Sequence, residues 1–86
     1  MDRKCALIDV SEPHEYAPGH APGSVNIPMS RFDPNNLPQS MDVVLICRSG
    51  MRSANAMSRA HAAGRKDVRH YRGGVTGWRS RGGKIV

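Results

Sequence analysis

Cys47 ends the longest unbroken apolar run of the chain, Val43-Val44-Leu45-Ile46-Cys47, and Arg48-Ser49-Gly50-Met51-Arg52-Ser53 follows it. The order is that of a strand closing on a thiol, then a glycine-containing loop that becomes a helix. Such a loop can curl its amides from Arg48 to Ser53 inward as an anion-binding nest, with Gly50 permitting the tight turn. The helix that follows aims its unpaired N–H groups and the positive end of its dipole at the same spot. Arg48 and Arg52 add full charges. A thiol placed there is drawn below its free pKa of about 8.5 and becomes a thiolate near neutral pH. That is a nucleophile in its own right, so no general base is needed.

The elements that must position this loop are short and alternate in type. Cys5-Ala6-Leu7-Ile8-Asp9-Val10 is apolar on both faces, as a buried parallel strand is. Ser11-Glu12-Pro13 carries helix start signals, with Ser11 as the hydroxyl cap candidate and a short helix over about 12–17. Ser24-Val25-Asn26-Ile27 is a brief strand stopped by Pro28, and Ser30 to Ser40 is rich in turn chemistry. Asp42-Val43-Val44-Leu45-Ile46 is the central strand. A helix then runs from about Met51 to Ala63, with Ala54, Met57 and His61 on one stripe, Ala56, Ala60 and Ala63 beside it, and Gly64 as its C′ glycine. Val68-Arg69-His70-Tyr71 is a last short strand, and Gly73-Gly74 opens a final helix closed at Gly82-Gly83. Strands alternating with helices make an α/β domain with a central, mainly parallel β-sheet flanked by α-helices on both faces. Residues 1–86 read as one domain. Cys47 then sits at the carboxyl end of the central strand, where open parallel sheets bind their ligands.

Composition removes whole classes of function. The chain carries a formal charge of +6, but residues 1–43 are net −3 and residues 44–86 are net +9. The basic half admits solvated charge, a nucleic-acid surface or the wall of a small-anion site. Two tyrosines, one phenylalanine and one tryptophan are too few for a base-stacking platform. The apolar run is far short of the ~20 residues of a membrane helix. The stretch Cys5-Ala6-Leu7-Ile8 is too short for the apolar core of a secretory signal. Two cysteines cannot staple a secreted scaffold, so a reducing, cytoplasmic setting with free thiols is expected. No metal and no cofactor are called for, since His61 and His70 have no partners at metal-ligand spacing.

The loop Cys47-Arg48-Ser49-Gly50-Met51-Arg52-Ser53 resembles the active-site loop of the rhodanese (thiosulfate sulfurtransferase) family. Three further segments resemble that family in order: Leu7-Ile8-Asp9-Val10-Ser11-Glu12-Pro13-His14-Glu15-Tyr16, then Gly19-His20-Ala21-Pro22-Gly23-Ser24-Val25-Asn26-Ile27-Pro28, then Gly73-Gly74-Val75-Thr76-Gly77-Trp78. The resemblance implies the rhodanese-like α/β fold and a ping-pong sulfur transfer through a Cys47 persulfide. Its partners are then a small sulfur anion (thiosulfate or a persulfide) and a thiol or cyanide acceptor. An acidic sulfur-donor or acceptor protein is a further partner, with no nucleic acid and no membrane. Arg48 would attract the donor's sulfonate, Arg52 would fix loop shape near the helix start, and Ser49 and Met51 would line the mouth.

The spacing Cys-x4-Arg is one residue shorter than the Cys-x5-Arg loop of the phosphatases and arsenate reductases on this fold, so those activities rank behind sulfur transfer. A sulfur-relay or protein-binding module with little free-thiosulfate activity is the alternative from a different class. Two departures from the family pattern stand out. Ser11 occupies a position where arginine is common, which removes an ion pair near the first strand. The chain also starts almost at the first motif, so it is expected to be a minimal form lacking the usual N-terminal strand and helix, or to have lost a front segment. Cys5, Arg59, Arg65, Lys66, Arg69, Arg72, Arg79 and Arg81 read as packing or surface residues, His14 and His20 as structural, Asp9 as loop support and Trp78 as an anchor for the last helix.

Overall fold

The computed structural model describes residues 5–86; the expectation of a shortened front falls on Met1 to Lys4, which lie outside the described residues. The elements in chain order are β1 (Cys5–Asp9), α1 (Pro13–Tyr16), β2 (Val25–Asn26), two 3₁₀ turns (Met29–Arg31 and Pro34–Asn36), β3 (Asp42–Ile46), α2 (Met51–Ala62), β4 (Arg69–His70) and α3 (Gly74–Ser80). The described strands form one sheet in the order β2-β1-β3-β4, and every pairing is parallel.

β1 and β3 pair over their whole length, from Cys5 opposite Asp42 to Asp9 opposite Ile46. The Val10 amide extends the ladder with a 2.8 Å bond to the Ile46 carbonyl. Both interior strands therefore end at one level, and the loops after them, at Ser11 and at Cys47, leave the sheet side by side.

Alternation along the strands sends Ile8, Val10, Val43, Leu45 and Cys47 to one face. There they meet Ala56 and Ala60 of α2, Phe32 and Leu37 from the turn region, and Val68. The buried stripe of α2 is Ser53-Ala56-Ala60, while Met57 is half-buried and Ala63 is exposed. Small residues let the helix lie close on the sheet, which is why the alanine row rather than the Met57 row faces inward. On the opposite face Leu7 and Val44 are half-buried.

The ends of the helices follow local chemistry with one correction. Gly64 takes φ +97° after α2, and the bonds Gly64 N–H to His61 O and Arg65 N–H to Ala60 O close it as a Schellman motif. At α1 the N-cap is Glu12 rather than Ser11. Pro13 at the first helical position keeps Glu12 extended (φ −71°, ψ 156°), so the helix starts one residue too late for the Ser11 hydroxyl to cap it, while the Ser11 amide bonds the Asp9 carboxylate at 2.8 Å. The Glu15 carboxylate instead reaches back to the Glu12 amide at 3.0 Å.

Candidate active site

Cys47 is fully buried at the end of β3, and its sulfur is met by the loop that follows it. The amides of Gly50 and Ser53 donate to Sγ at 3.0 and 3.4 Å, and the Ser53 hydroxyl lies 3.6 Å away. Burial pushes the thiol pKa up. Hydrogen bonds from the Ser53 hydroxyl and from the Ser53, Gly50 and Ser49 amides outweigh it, so the thiol sits below its ordinary value. The direction agrees with the sequence reading, and the loop amides that it named supply the lowering, without the arginines. Dipoles of the loop hold the sulfur anion, whereas the arginines point elsewhere.

Backbone geometry makes this cradle possible. Gly50 has φ +100°, and a Cβ there would overlap the Arg72 carbonyl oxygen. No side chain fits between the loop and the strand-to-helix connection after β4. Gly74 (φ +64°) meets the loop from the other side, where an added Cβ would overlap the Arg48 carbonyl oxygen. The first amides of α3 exploit that closeness. Val75 donates to the Cys47 carbonyl at 2.8 Å and Thr76 to the Arg48 carbonyl at 3.0 Å. The glycine pair at 73–74 is thus a turn that brings α3 onto the back of the Cys47 loop.

The two arginines of the loop have separate fates. Arg52 turns away from the sulfur and grips Glu15 of α1 with both guanidinium nitrogens, Nη2 to Oε2 at 2.9 Å. This fork, with the Glu12 amide, holds the Glu15 carboxyl at about 2. It ties the first turn of α2 to α1 across 37 residues of sequence. Arg48 has its side chain 63% exposed, with Nε 3.8 Å from the same Glu15. Ser49 and Met51 are exposed as well, Met51 at 80%.

A cavity of about 210 Å³ opens beside the loop, lined by Asp9, Ser11, Glu15, Arg48, Thr76 and Arg79 among others. Cys47 does not line it. Its neighbour Arg48 does, so the cavity adjoins the loop without reaching the sulfur. Asp9 is almost fully buried at its floor, held by the Ser11 amide.

The model of the rhodanese-like domain matches residues 1–81 of this chain. The chain belongs to the rhodanese-like family. It is 40% identical over 80 residues to a probable adenylyltransferase/sulfurtransferase, MoeZ, of Mycobacterium tuberculosis, covering 88% of this chain and 20% of that protein. It is 35% identical over 82 residues to a sulfurtransferase of Allochromatium vinosum, covering 93% of this chain and 77% of that one. The chain thus spans about a fifth of the length of the first relative and three quarters of the second. Among solved structures, a rhodanese-related protein of Thermoplasma volcanium superposes with a TM-score of 0.85 at 31% identity, covering 95% of this chain and 83% of that one.

Within this rhodanese-like domain the structure gathers Cys47 and the amides of Ser49, Gly50 and Ser53 at one sulfur, leaves Arg48 on the cavity wall and Met51 exposed outside its lining, and gives Arg52 to α1. Sequence reasoning passes over three residues that the fold brings in. Glu15 is recognisable only as an acid within a family-like segment. Arg79 resembles any other surface arginine of the basic half. His70 looks isolated, yet its Nδ1 lies 3.0 Å from Ser53 Oγ.

Proposed function

We propose that this rhodanese-like domain is a sulfurtransferase that carries a sulfane sulfur on Cys47. The observation behind this reading is the sulfur of Cys47 seated in a cradle of amide donors, 3.0 Å from the nearest. In the first half-reaction the Cys47 thiolate attacks the outer sulfur of thiosulfate or of another persulfide. A bond forms between Sγ and that sulfur, the donor's S–S bond breaks, and sulfite or a thiolate leaves with the bonding pair. Cys47 becomes a persulfide anion, and the loop amides stabilise its charge as an oxyanion hole stabilises oxygen. In the second half-reaction cyanide or a thiolate attacks the terminal sulfur. Thiocyanate or a new persulfide departs, and the Cys47 thiolate returns. No proton and no outside electron enter the balance.

The cavity supplies the approach. Arg48 and Arg79 on its wall suit the sulfonate of thiosulfate or the carboxylates of a thiol such as a small peptide, while Asp9 and Glu15 limit its net positive field. No helix among the described residues is long and apolar enough to cross a membrane. A reducing cytoplasmic setting, which keeps Cys47 free to load, fits this chemistry.

A second reading is a sulfur-relay module that takes its sulfur from a protein donor. The exposed Arg48 and Arg79 beside the loop favour it, because they would meet the acidic surface of such a donor. The phosphatase reading fares worse. Its chemistry needs the loop arginine on the bound phosphate, and here Arg52 is committed to Glu15.

Mass spectrometry decides among them. Incubation with thiosulfate should add one sulfur atom to Cys47, and cyanide should then remove it as thiocyanate. Cys47→Ser should do neither. Loading by a protein persulfide but not by thiosulfate would favour the relay, and wild-type protein that takes up no sulfur from any donor would refute both.

A further inference from the structure

Ser53 stands among three groups that compete for one hydroxyl proton. Its Oγ lies 3.6 Å from Cys47 Sγ, 3.2 Å from the Gly50 carbonyl oxygen and 3.0 Å from Nδ1 of His70. A serine hydroxyl offers a single proton and two lone pairs. Ser53 is fully buried, so bulk water cannot replace a missing partner. If Nδ1 of His70 carries a proton, it fills a lone pair on Oγ and leaves the hydroxyl proton to the sulfur or the Gly50 carbonyl, of which the anionic sulfur is the stronger acceptor. If Nδ1 is the acceptor, the hydroxyl turns toward the imidazole and the thiolate loses that donor.

We propose that His70 is a positioning residue for the Cys47 nucleophile, acting through Ser53: donation from Nδ1–H to Ser53 Oγ directs the hydroxyl proton onto the sulfur. The proposal rests on the reading of Cys47 as the sulfur carrier and names a residue that itself touches no substrate. The fold accounts for the placement. His70 pairs with Leu45 across β3 and β4 and so faces α2 with it, next to the first turn that holds Ser53. The adjacent residue Arg69 is exposed.

Other charged groups near the cradle are already engaged. On α2, Arg52 is forked onto Glu15 of α1, and His61 has its Nε2 2.8 Å from the Val68 carbonyl oxygen. On β1, buried Asp9 accepts from the Ser11 amide, and its charge, like that of Cys47, acts on Arg52. Neither Asp9 nor Arg52 reaches the sulfur through Ser53, so a coupling that requires Ser53 isolates His70.

The test reads the Cys47 thiol, not turnover. In a Cys5→Ala background, thiolate absorbance and the rate of alkylation by iodoacetamide are followed against pH for the full chain. The variants are His70→Asn, His70→Asp, Ser53→Ala and the two doubles. His70→Asp can only accept, so it should raise the thiol midpoint by about one pK unit, about tenfold in thiolate at a pH below it, the scale of one hydrogen bond to a charge. His70→Asn keeps an N–H donor close to the position of Nδ1 and should stay near wild type. In the Ser53→Ala background the shift from His70→Asp should be mostly lost, and His70→Asn should still have little effect.

An equal shift with and without Ser53 would show a through-space field and overturn the proposal, as would His70→Asn moving the midpoint as far as His70→Asp. Nitrogen NMR of the wild-type ring gives a measurement independent of variant folding. Nδ1 should be protonated while Cys47 is a thiolate and should shift when Cys47 is alkylated; a bare Nδ1 in the thiolate form overturns the proposal. Because neither readout depends on sulfur transfer, a coupled His70 in an inactive protein would sink only the sulfurtransferase reading, and an active protein without coupling would sink only the role of His70.

Discussion

The cradle under Cys47 and the cavity beside Arg48 share one loop but are built from different material. The cradle is backbone: the amides of Gly50 and Ser53 on the sulfur, with the Cys47 and Arg48 carbonyls held by Val75 and Thr76 of α3. Its only side-chain requirements are a serine hydroxyl and the absence of side chains at positions 50 and 74. The cavity is the reverse, a wall of side chains from α1, the loop and α3 around open space. On the proposed sulfurtransferase reading, an amide nest can hold any sulfur anion, so recognition of a particular donor falls to the cavity. Changes to the cradle should therefore act on folding and on the chemical step, and changes to the cavity on substrate affinity.

The largest effect is expected from Gly50→Ala. It combines a φ of +100° with a Cβ that overlaps the Arg72 carbonyl oxygen. At about 3 kcal/mol or more, this is a large share of the roughly 4–13 kcal/mol available to a domain of this size. Denaturant melts should show a sharply lowered midpoint or no folded protein. A variant that melts like wild type and loads sulfur normally would show that the cradle does tolerate a side chain there.

Glu15→Gln comes next. It weakens the fork between α1 and α2, and a loss of about 1 kcal/mol is expected for a partly exposed ion pair. The sign with pH is fixed by the depressed carboxyl. Folding lowers Glu15 from an ordinary 4.5 to about 2, chiefly through the hydrogen bond from Arg52. Its contribution is present above the unfolded value and fades as pH falls from about 4.5 through about 2. Wild-type stability should drop across that window, and Glu15→Gln should flatten the drop. Identical acid melts would show that the fork adds nothing.

Arg48→Ala and Arg79→Ala should be the mildest for the fold and the most selective for function. Each is expected to raise KM for thiosulfate about 3–10-fold with kcat changed far less, the pattern of a residue that holds bound substrate and transition state equally. A fall in kcat at constant KM would move these arginines from the cavity wall to the reaction itself and erase the contrast between the two regions.

Most of the machinery closest to the sulfur is legible in the chain. The apolar run ending at Cys47, the glycine three residues on and the helical alanine spacing all act within a few residues, where pleat, turn and helix periods are read directly. Ser11 shows the limit even at short range. Its hydroxyl suits an N-cap, but Pro13 keeps Glu12 extended and so makes Glu12 the cap. Arg52 shows the limit at long range. Its spacing from Cys47 marks it as part of the loop, while its guanidinium belongs to Glu15, 37 residues earlier.

Local chemistry thus writes the strand-end thiol, the nest and the order of strands and helices, because each depends on neighbours along the backbone. The ion pair of Glu15 with Arg52, the contact of Ser53 with His70 and the joining of Arg48 with Arg79 at one cavity depend on parallel register and on where crossovers land. β1 and β3 end level, β4 lies on the far side of β3, and α3 folds back onto the loop through Gly74. Those placements follow from packing the alanine face of α2 against the sheet, a property of the assembled core that no single segment carries.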